Sequence, residues 1–194
     1  GVSRAICEQV CDCLLHDKLT NALNMPISDL TKLKEIQPFL DLAEMLGQIQ
    51  FQIAKGPISH ISIECYGTAD DIKPISLACI KGLLQSQVPE RINYINAESI
   101  AQELGLEIDI HYSTVKSSYI NLISTKVTIN KTVYKLDGSV FDDHRPRLVN
   151  ILGREMEVTP RGTLLLVENN DVPGVIGNVG TLLGNLNINI AAYL

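Results

Sequence analysis

Between Val167 and Gly184 an apolar run enters an Asn/Asp-rich turn, Glu168-Asn169-Asn170-Asp171, and then Val172-Pro173-Gly174 opens a helical pattern with glycines at 174, 177, 180 and 184. Few arrangements accept such a sequence. Thr163 to Val167 has strand character. Proline at a first helical position has its φ preset and sacrifices no hydrogen bond, which leaves first-turn N–H groups and the positive helix end open toward a carboxylate. Each glycine inside a helix costs roughly 1 kcal/mol against alanine. Close packing on a sheet is the expected reason, since a missing Cβ lets backbones approach, with Val175, Ile176, Val179, Leu182 and Leu183 as the buried stripe. A dinucleotide fingerprint is disfavoured, because Gly174-x-x-Gly177-x-x-Gly180 is not G-x-G-x-x-G.

Other segments set expectations for the rest. Val2, Ile6, Val10 and Leu14 recur at four-residue spacing and predict one amphipathic helix. Ser28 or Asp29 caps a short helix, and Pro38 begins a longer one with Leu42, Met45, Leu46, Ile49 and Ile53 along one side, until Gly56-Pro57 stops it. Ile61 to Cys65 alternates like a half-buried strand. Helices are predicted from about Pro74 to Leu84 and from about Asn93 to Gly105. Tyr119 to Ile129 reads as a strand with Ile123, Thr125, Val127 and Ile129 on one face. Asp137-Gly138 taken locally suggests a hairpin turn.

An ACT-like stretch and four ordered segments before it carry a resemblance. Asn169-x-Asp171-x-Pro173-Gly174-Val175-Ile176-Gly177 through Ile188-Asn189-Ile190-Ala191 is similar to the opening half of an ACT domain, a ligand-sensing βαββαβ module, in the form found at the end of D-3-phosphoglycerate dehydrogenases. Asn24-Met25-Pro26, the Pro38 to Gly47 helix, Ile92-Asn93-Tyr94-Ile95-Asn96-Ala97 and Pro146-Arg147-Leu148-Val149-Asn150-Ile151 resemble segments of the same family in the same order. The fold this implies is α+β: an intervening domain with an antiparallel-rich sheet, followed by half of a ferredoxin-like ACT module. The implied parts are residues 1–27, a helix and linker from the catalytic part; 28–157, an intervening allosteric substrate-binding domain; and 158–194, the first half of the ACT module. The family would run a strand with a bulge, not a turn, through Asp137-Gly138.

The resemblance also implies function. The family oxidises 3-phosphoglycerate with NAD in the first step of L-serine synthesis. Its nucleotide-binding domain and catalytic histidine segment would precede Gly1, so no catalytic residue is expected in this chain, and NAD would be held elsewhere in the parent enzyme. L-serine is the implied effector, held by Asn169, Asp171, the Val172 amide and Asn189; a helix N-cap and turn is the simpler role for Asn169 and Asp171. An anion such as a substrate phosphate is implied at Arg147, with Arg145 and Arg161 adding charge; the simpler reading is a solvated basic loop beside Asp142 and Asp143. Self-association through the ACT and intervening parts is also implied. An iron–sulfur L-serine dehydratase, which shares similar parts, is the alternative.

Composition excludes several classes. A net charge of −6 argues against a nucleic-acid binder, which needs a basic footprint. No apolar run reaches the length of a membrane span and no signal-peptide pattern opens the chain, so a cytoplasmic protein is expected. The five cysteines, three of them at Cys7, Cys11 and Cys13, form no C-x-x-C, and buried free thiols are expected in place of a metal site. His16, His60 and His111 receive no role.

Overall fold

A computed structural model describes residues 4–7, 10–11, 30–54, 56–115, 117–170 and 172–193. The chain folds as two units, Gly1–Thr159 and Pro160–Leu194. The first unit holds helix α1 (Leu30–Ile53), strand β1 (His60–Gly67), helices α2 (Ile72–Leu84) and α3 (Ala97–Glu103), and strands β2 (Glu107–Ser113), β3 (Asn121–Ile129), β4 (Thr132–Val140), β5 (Pro146–Ile151) and β6 (Arg154–Val158). They form one six-stranded sheet in the order β2-β1-β3-β4-β5-β6. Only β1 and β2 run parallel. That pair needs a crossover, and α2 and α3 supply it.

Helix α1 is continuous through Pro38, where two helices were expected. A proline inside a helix costs about 3 kcal/mol. Burial on both sides of it offsets that cost: Leu33, Ile36, Leu40, Ala43, Gly47, Gln50 and Ala54 are buried at alternating three- and four-residue steps, the period of a helix lying along a core. Ser28 and Asp29 lie outside the described residues.

The sheet buries one face under α1 and α2. Ile61, Ile63 and Cys65 of β1, Ile123, Thr125 and Val127 of β3, and Leu136 of β4 are fully buried in a core shared with Leu42, Leu46, Ile75, Ile80 and Leu83. The expected β3 face is therefore the core face. Where α1 crosses α2, the two backbones touch: a Cβ on Gly47 would lie 2.1 Å from the Cys79 carbonyl oxygen, and one on Gly82 would lie 2.0 Å from that of Glu44. Beside this crossing Lys81 Nζ binds both oxygens of Glu44 at 2.8 and 2.7 Å and lies 5.6 Å from the centre of the Tyr94 ring.

Asp137-Gly138 makes no turn. It lies inside β4, where the register against β5 shifts, so the bulge is present and the local hairpin reading is corrected. The hairpin reverses at Asn130-Lys131, both at positive φ, the geometry of a two-residue primed turn. Asn121 ties the other end of this hairpin, donating from Nδ2 to the Val140 carbonyl and accepting from the Val140 amide, each at 2.8 Å.

Cys65 and Cys79 are the buried thiols that were expected. Burial pushes Cys65 up to about 12 and Cys79 higher still, so neither forms a thiolate near neutral pH. Cys7 and Cys11, by contrast, are exposed, as are Ile6 and Val10, because the helical residues 4–7 and 10–11 bury no face. Cys13 and His16 lie outside the described residues.

The second unit contains helix α4 (Val175–Asn185). No strand is assigned among its described residues, so the strands expected at 163–167 and near Asn189 are not formed there. A lone strand has no ladder partner and cannot hold its backbone groups. Gly177, Gly180 and Gly184 meet nothing within 4 Å of a Cβ position, and Ile176, Leu182 and Leu186 are exposed. The close packing expected to explain these glycines is therefore absent among the described residues.

Candidate functional site

In the second unit the turn before α4 frames a hollow of about 350 Å³. Its walls are Asn169, Val172, the Pro173-Gly174 turn, the first residues of α4 at Val175 and Ile176, and Tyr193. Helix α4 opens at Val175, two residues later than expected, because Gly174 occupies the N-cap at φ 92° and ψ −8°. Glycine enters that left-handed region without a Cβ penalty, and Pro173 fixes the turn leading into it. The N-cap residue itself therefore has no side chain to offer. The first amides of α4 have no acceptor within the helix and carry its positive dipole end, and Val175 and Ile176, which own two of them, border the hollow.

Of the residues expected around an amino-acid effector, Asn169 and Val172 share this hollow. Asn189 is exposed and is not among its lining residues. Asp171 lies outside the described residues. The sequence did not single out Tyr193, whose exposed ring closes one side; an aromatic near the end of the chain carries no motif that marks it.

The first unit carries the basic group. Arg147 Nη2 donates to Asp143 Oδ2 at 3.1 Å, Nη1 donates to the Pro146 carbonyl at 3.3 Å, and the guanidinium carbon lies 5.5 Å from the centre of the Phe141 ring. Phe141 in turn meets Tyr119, ring centres 6.2 Å apart. Arg145 shares the same carboxylate: its backbone N–H donates to Asp143 Oδ1 at 3.0 Å and its Nε lies 3.8 Å from Oδ2. Burial opposes ionisation of Asp143, but the Arg145 N–H, the Arg147 hydrogen bond and both positive charges outweigh it and hold the carboxyl below its ordinary range. A depressed carboxyl favours the fold at pH above the unfolded value near 3.9, and that contribution lapses as pH falls through the folded value. An anion reaching Arg147 would have to share it with Asp143. Arg161 belongs to the second unit and is exposed.

On the sheet face opposite α1 and α2, one polar row runs strand to strand: His111, Glu64, Ser124, Asp137, Asn150 and Glu155 are register partners in turn. Ser124 Oγ donates to Asp137 Oδ1 at 2.6 Å and Lys135 Nζ reaches Oδ2 at 2.9 Å, which balances a carboxylate only 5% exposed. Next to this row, burial together with the Glu64 carboxylate raises the Tyr66 phenol to about 12. Sequence reading passed over these residues, since serine and aspartate alternating with apolar residues look the same on any half-buried strand. Among the described residues no cluster of His, Cys, Asp or Glu could hold a metal ion, and no helix is long and apolar enough to cross a membrane.

Comparison with known proteins places this arrangement. Residues 35–152, from within α1 to just past β5, match the D-3-phosphoglycerate dehydrogenase intervening domain. The chain belongs to the D-3-phosphoglycerate dehydrogenase family. It is 29% identical over 193 residues to D-3-phosphoglycerate dehydrogenase of Bacillus subtilis (strain 168), covering 98% of this chain and 37% of that protein. The enzyme of the same name from Synechocystis is 30% identical over 195 residues, 99% of this chain and 35% of the relative. That of Methanocaldococcus jannaschii is 31% identical over 189 residues, covering 96% and 36%. The chain thus spans little more than a third of the length of these dehydrogenases, and the similarity continues through the second unit. The dehydratase alternative gains no support, since the family match and these relatives are all phosphoglycerate dehydrogenases.

Proposed function

We propose that this chain is the regulatory region of a cytoplasmic, self-associating enzyme that oxidises 3-phosphoglycerate with NAD at the entry to L-serine synthesis, and that it responds to L-serine. The match of residues 35–152 to the dehydrogenase's intervening domain carries this reading. The hollow before α4 supports the effector: free helix amides suit a carboxylate, Asn169 offers both a donor and an acceptor, and an acid at Asp171 suits an ammonium group. Asn189 belongs to the effector's surroundings in the assembled parent, where ACT modules pair into a larger sheet and a ligand between them favours one arrangement of the assembly.

The test uses the full-length protein. Reduction of NAD that depends on 3-phosphoglycerate is expected, with inhibition by L-serine. Asn189→Ala should raise the serine concentration for half-inhibition about tenfold while leaving uninhibited turnover unchanged, the loss of one or two hydrogen bonds to a charged ligand. Serine indifference would remove the effector from the proposal and leave the enzyme; no turnover would remove the enzyme as well.

Arg147 is the proposed anion contact in the intervening domain, with Arg145 beside it and Arg161 as the sequence-implied third cation. Because Asp143 already occupies Arg147, replacing it with Asn should free the fork. Phosphate at constant ionic strength is then expected to raise the Tm of the Asp143→Asn protein by about 2–4 °C more than that of the unmodified chain. Arg147→Ala should abolish the phosphate response in a fluorimetric melt. An equal response in all three proteins would assign the loop to plain solvation.

A further inference from the structure

Among the described residues the sheet has two edges, and they are built differently. β6 is five residues long, its register against β5 slips, and Thr159-Pro160 follows it directly, all features that discourage further pairing. β2 has seven residues with neither proline nor lysine, in even parallel register with β1. The Glu107 amide bonds inward to the Ser59 carbonyl at 3.0 Å, which fixes the direction of every group on the strand. In a parallel ladder alternate residues bond to the same side, so Glu107, Asp109, His111 and Ser113 are satisfied by β1, while Ile108, Ile110 and Tyr112 turn their N–H and C=O outward.

We propose that β2 is an interaction surface for a second copy of this chain, which adds its own β2 antiparallel across a two-fold axis at Ile110. With Ile110 facing Ile110, Ile108 faces Tyr112 of the second copy, and all the outward backbone groups of these three residues find partners. Asp109 then lies opposite His111 of the second copy at the closely spaced, non-hydrogen-bonded positions, and the axis repeats that pair. Glu107 lies opposite Ser113. Shifting the centre to Asp109 sets Asp109 against itself, and shifting it to His111 sets His111 against itself. Centring on Ile108 brings Glu107 against Asp109. The register at Ile110 is therefore selected both by backbone satisfaction and by charge. Asp109 already receives His60 on Oδ2 at 2.8 Å, which holds the carboxylate in place and leaves Oδ1 for the neighbour. The pairing follows from strand geometry and holds whatever ligand the parent enzyme senses.

Sedimentation equilibrium of the 194-residue chain at low ionic strength tests it, with circular dichroism melts to confirm that each variant is folded. The unmodified chain should dimerise. Asp109→Lys, which removes the carboxylate that the imidazole meets in both pairs, and His111→Asp, which sets carboxylate against carboxylate in both, should each raise the dimer dissociation constant about tenfold. The double variant Asp109→Lys/His111→Asp restores opposite charges and should return to within about threefold of the original. Either a chain monomeric at about 100 μM or single variants that dimerise as well as the original would overturn the pairing. So would a double variant no better than its parents.

Discussion

Gly47→Ala and Gly82→Ala should each cost about 3–5 kcal/mol of stability, enough to unfold a large share of the chain. A Cβ at either position would sit about 2 Å from a carbonyl oxygen of the other helix, and the obstacle is backbone, which no rotamer change can move. Relief requires α1 and α2 to separate by more than an ångström. That opens the core along Leu42, Leu46, Ile80 and Leu83 and loosens the half-buried Lys81–Glu44 pair. Better helix propensity returns only about 1 kcal/mol. Gly184→Ala is the control, because its Cβ meets nothing within 4 Å and the same propensity gain should appear unopposed. Urea unfolding followed by circular dichroism reads all three. A Gly47→Ala midpoint equal to the original would mean that the helices do not touch there.

Much of the first unit was legible because its signals are local and repeated. The core face of β3 followed from strict alternation at Ile123, Thr125, Val127 and Ile129. The motif at Pro146 to Ile151 marked Arg147 without a strand being read there, and the structure makes that segment β5. What escaped depended on partners remote in sequence. β2 is the exception: Glu-Ile-Asp-Ile-His-Tyr-Ser alternates as regularly as Ile61 to Cys65, and no strand was read there. Asn130-Lys131 turns the β3–β4 hairpin although lysine gives no turn signal, while Asp137-Gly138 gives a strong one and stays extended because the β3 ladder runs past it. Pro38 pointed to a helix start, and tertiary burial on both sides overrode it. In the second unit the helix and its glycine turn were legible. The strand at 163–167 was expected from apolar character and the one near Asn189 from the resemblance, but strands exist only where a neighbour completes them. At the hollow before α4, the turn motif led to Asn169 and Val172, which share its wall; Tyr193 entered through folding far along the chain from that motif, which no local pattern encodes.

Gln50→Glu should turn a folded chain into one that is stable only in acid. Gln50 is wholly buried, and its Nε2 donates toward the Thr125 carbonyl at 3.2 Å, Thr125 Oγ1 at 3.0 Å and the Tyr134 carbonyl at 2.9 Å. Three oxygens converge on the amide nitrogen, while Oε1 has no partner among the described residues. A carboxylate of the same shape would set negative charge against those oxygens with nothing to balance it, so the group must take up a proton to stay inside. Its folded pKa is therefore raised far above the unfolded value near 4.3. The sign follows from proton counts. Above pH 4.3 the unfolded chain has released the proton and the folded chain has kept it, so unfolding becomes easier by about 1.4 kcal/mol for each pH unit. At pH 7 the loss approaches 3–4 kcal/mol, beyond whatever the altered hydrogen bonds cost at every pH. Gln50→Met, similar in length and uncharged, should lose a roughly constant 1–3 kcal/mol across the same range. Melts between pH 4 and 8 separate the two: a Gln50→Glu curve parallel to that of Gln50→Met would place residue 50 in contact with water, and a diverging one requires the sealed packing of α1 on the β3–β4 hairpin.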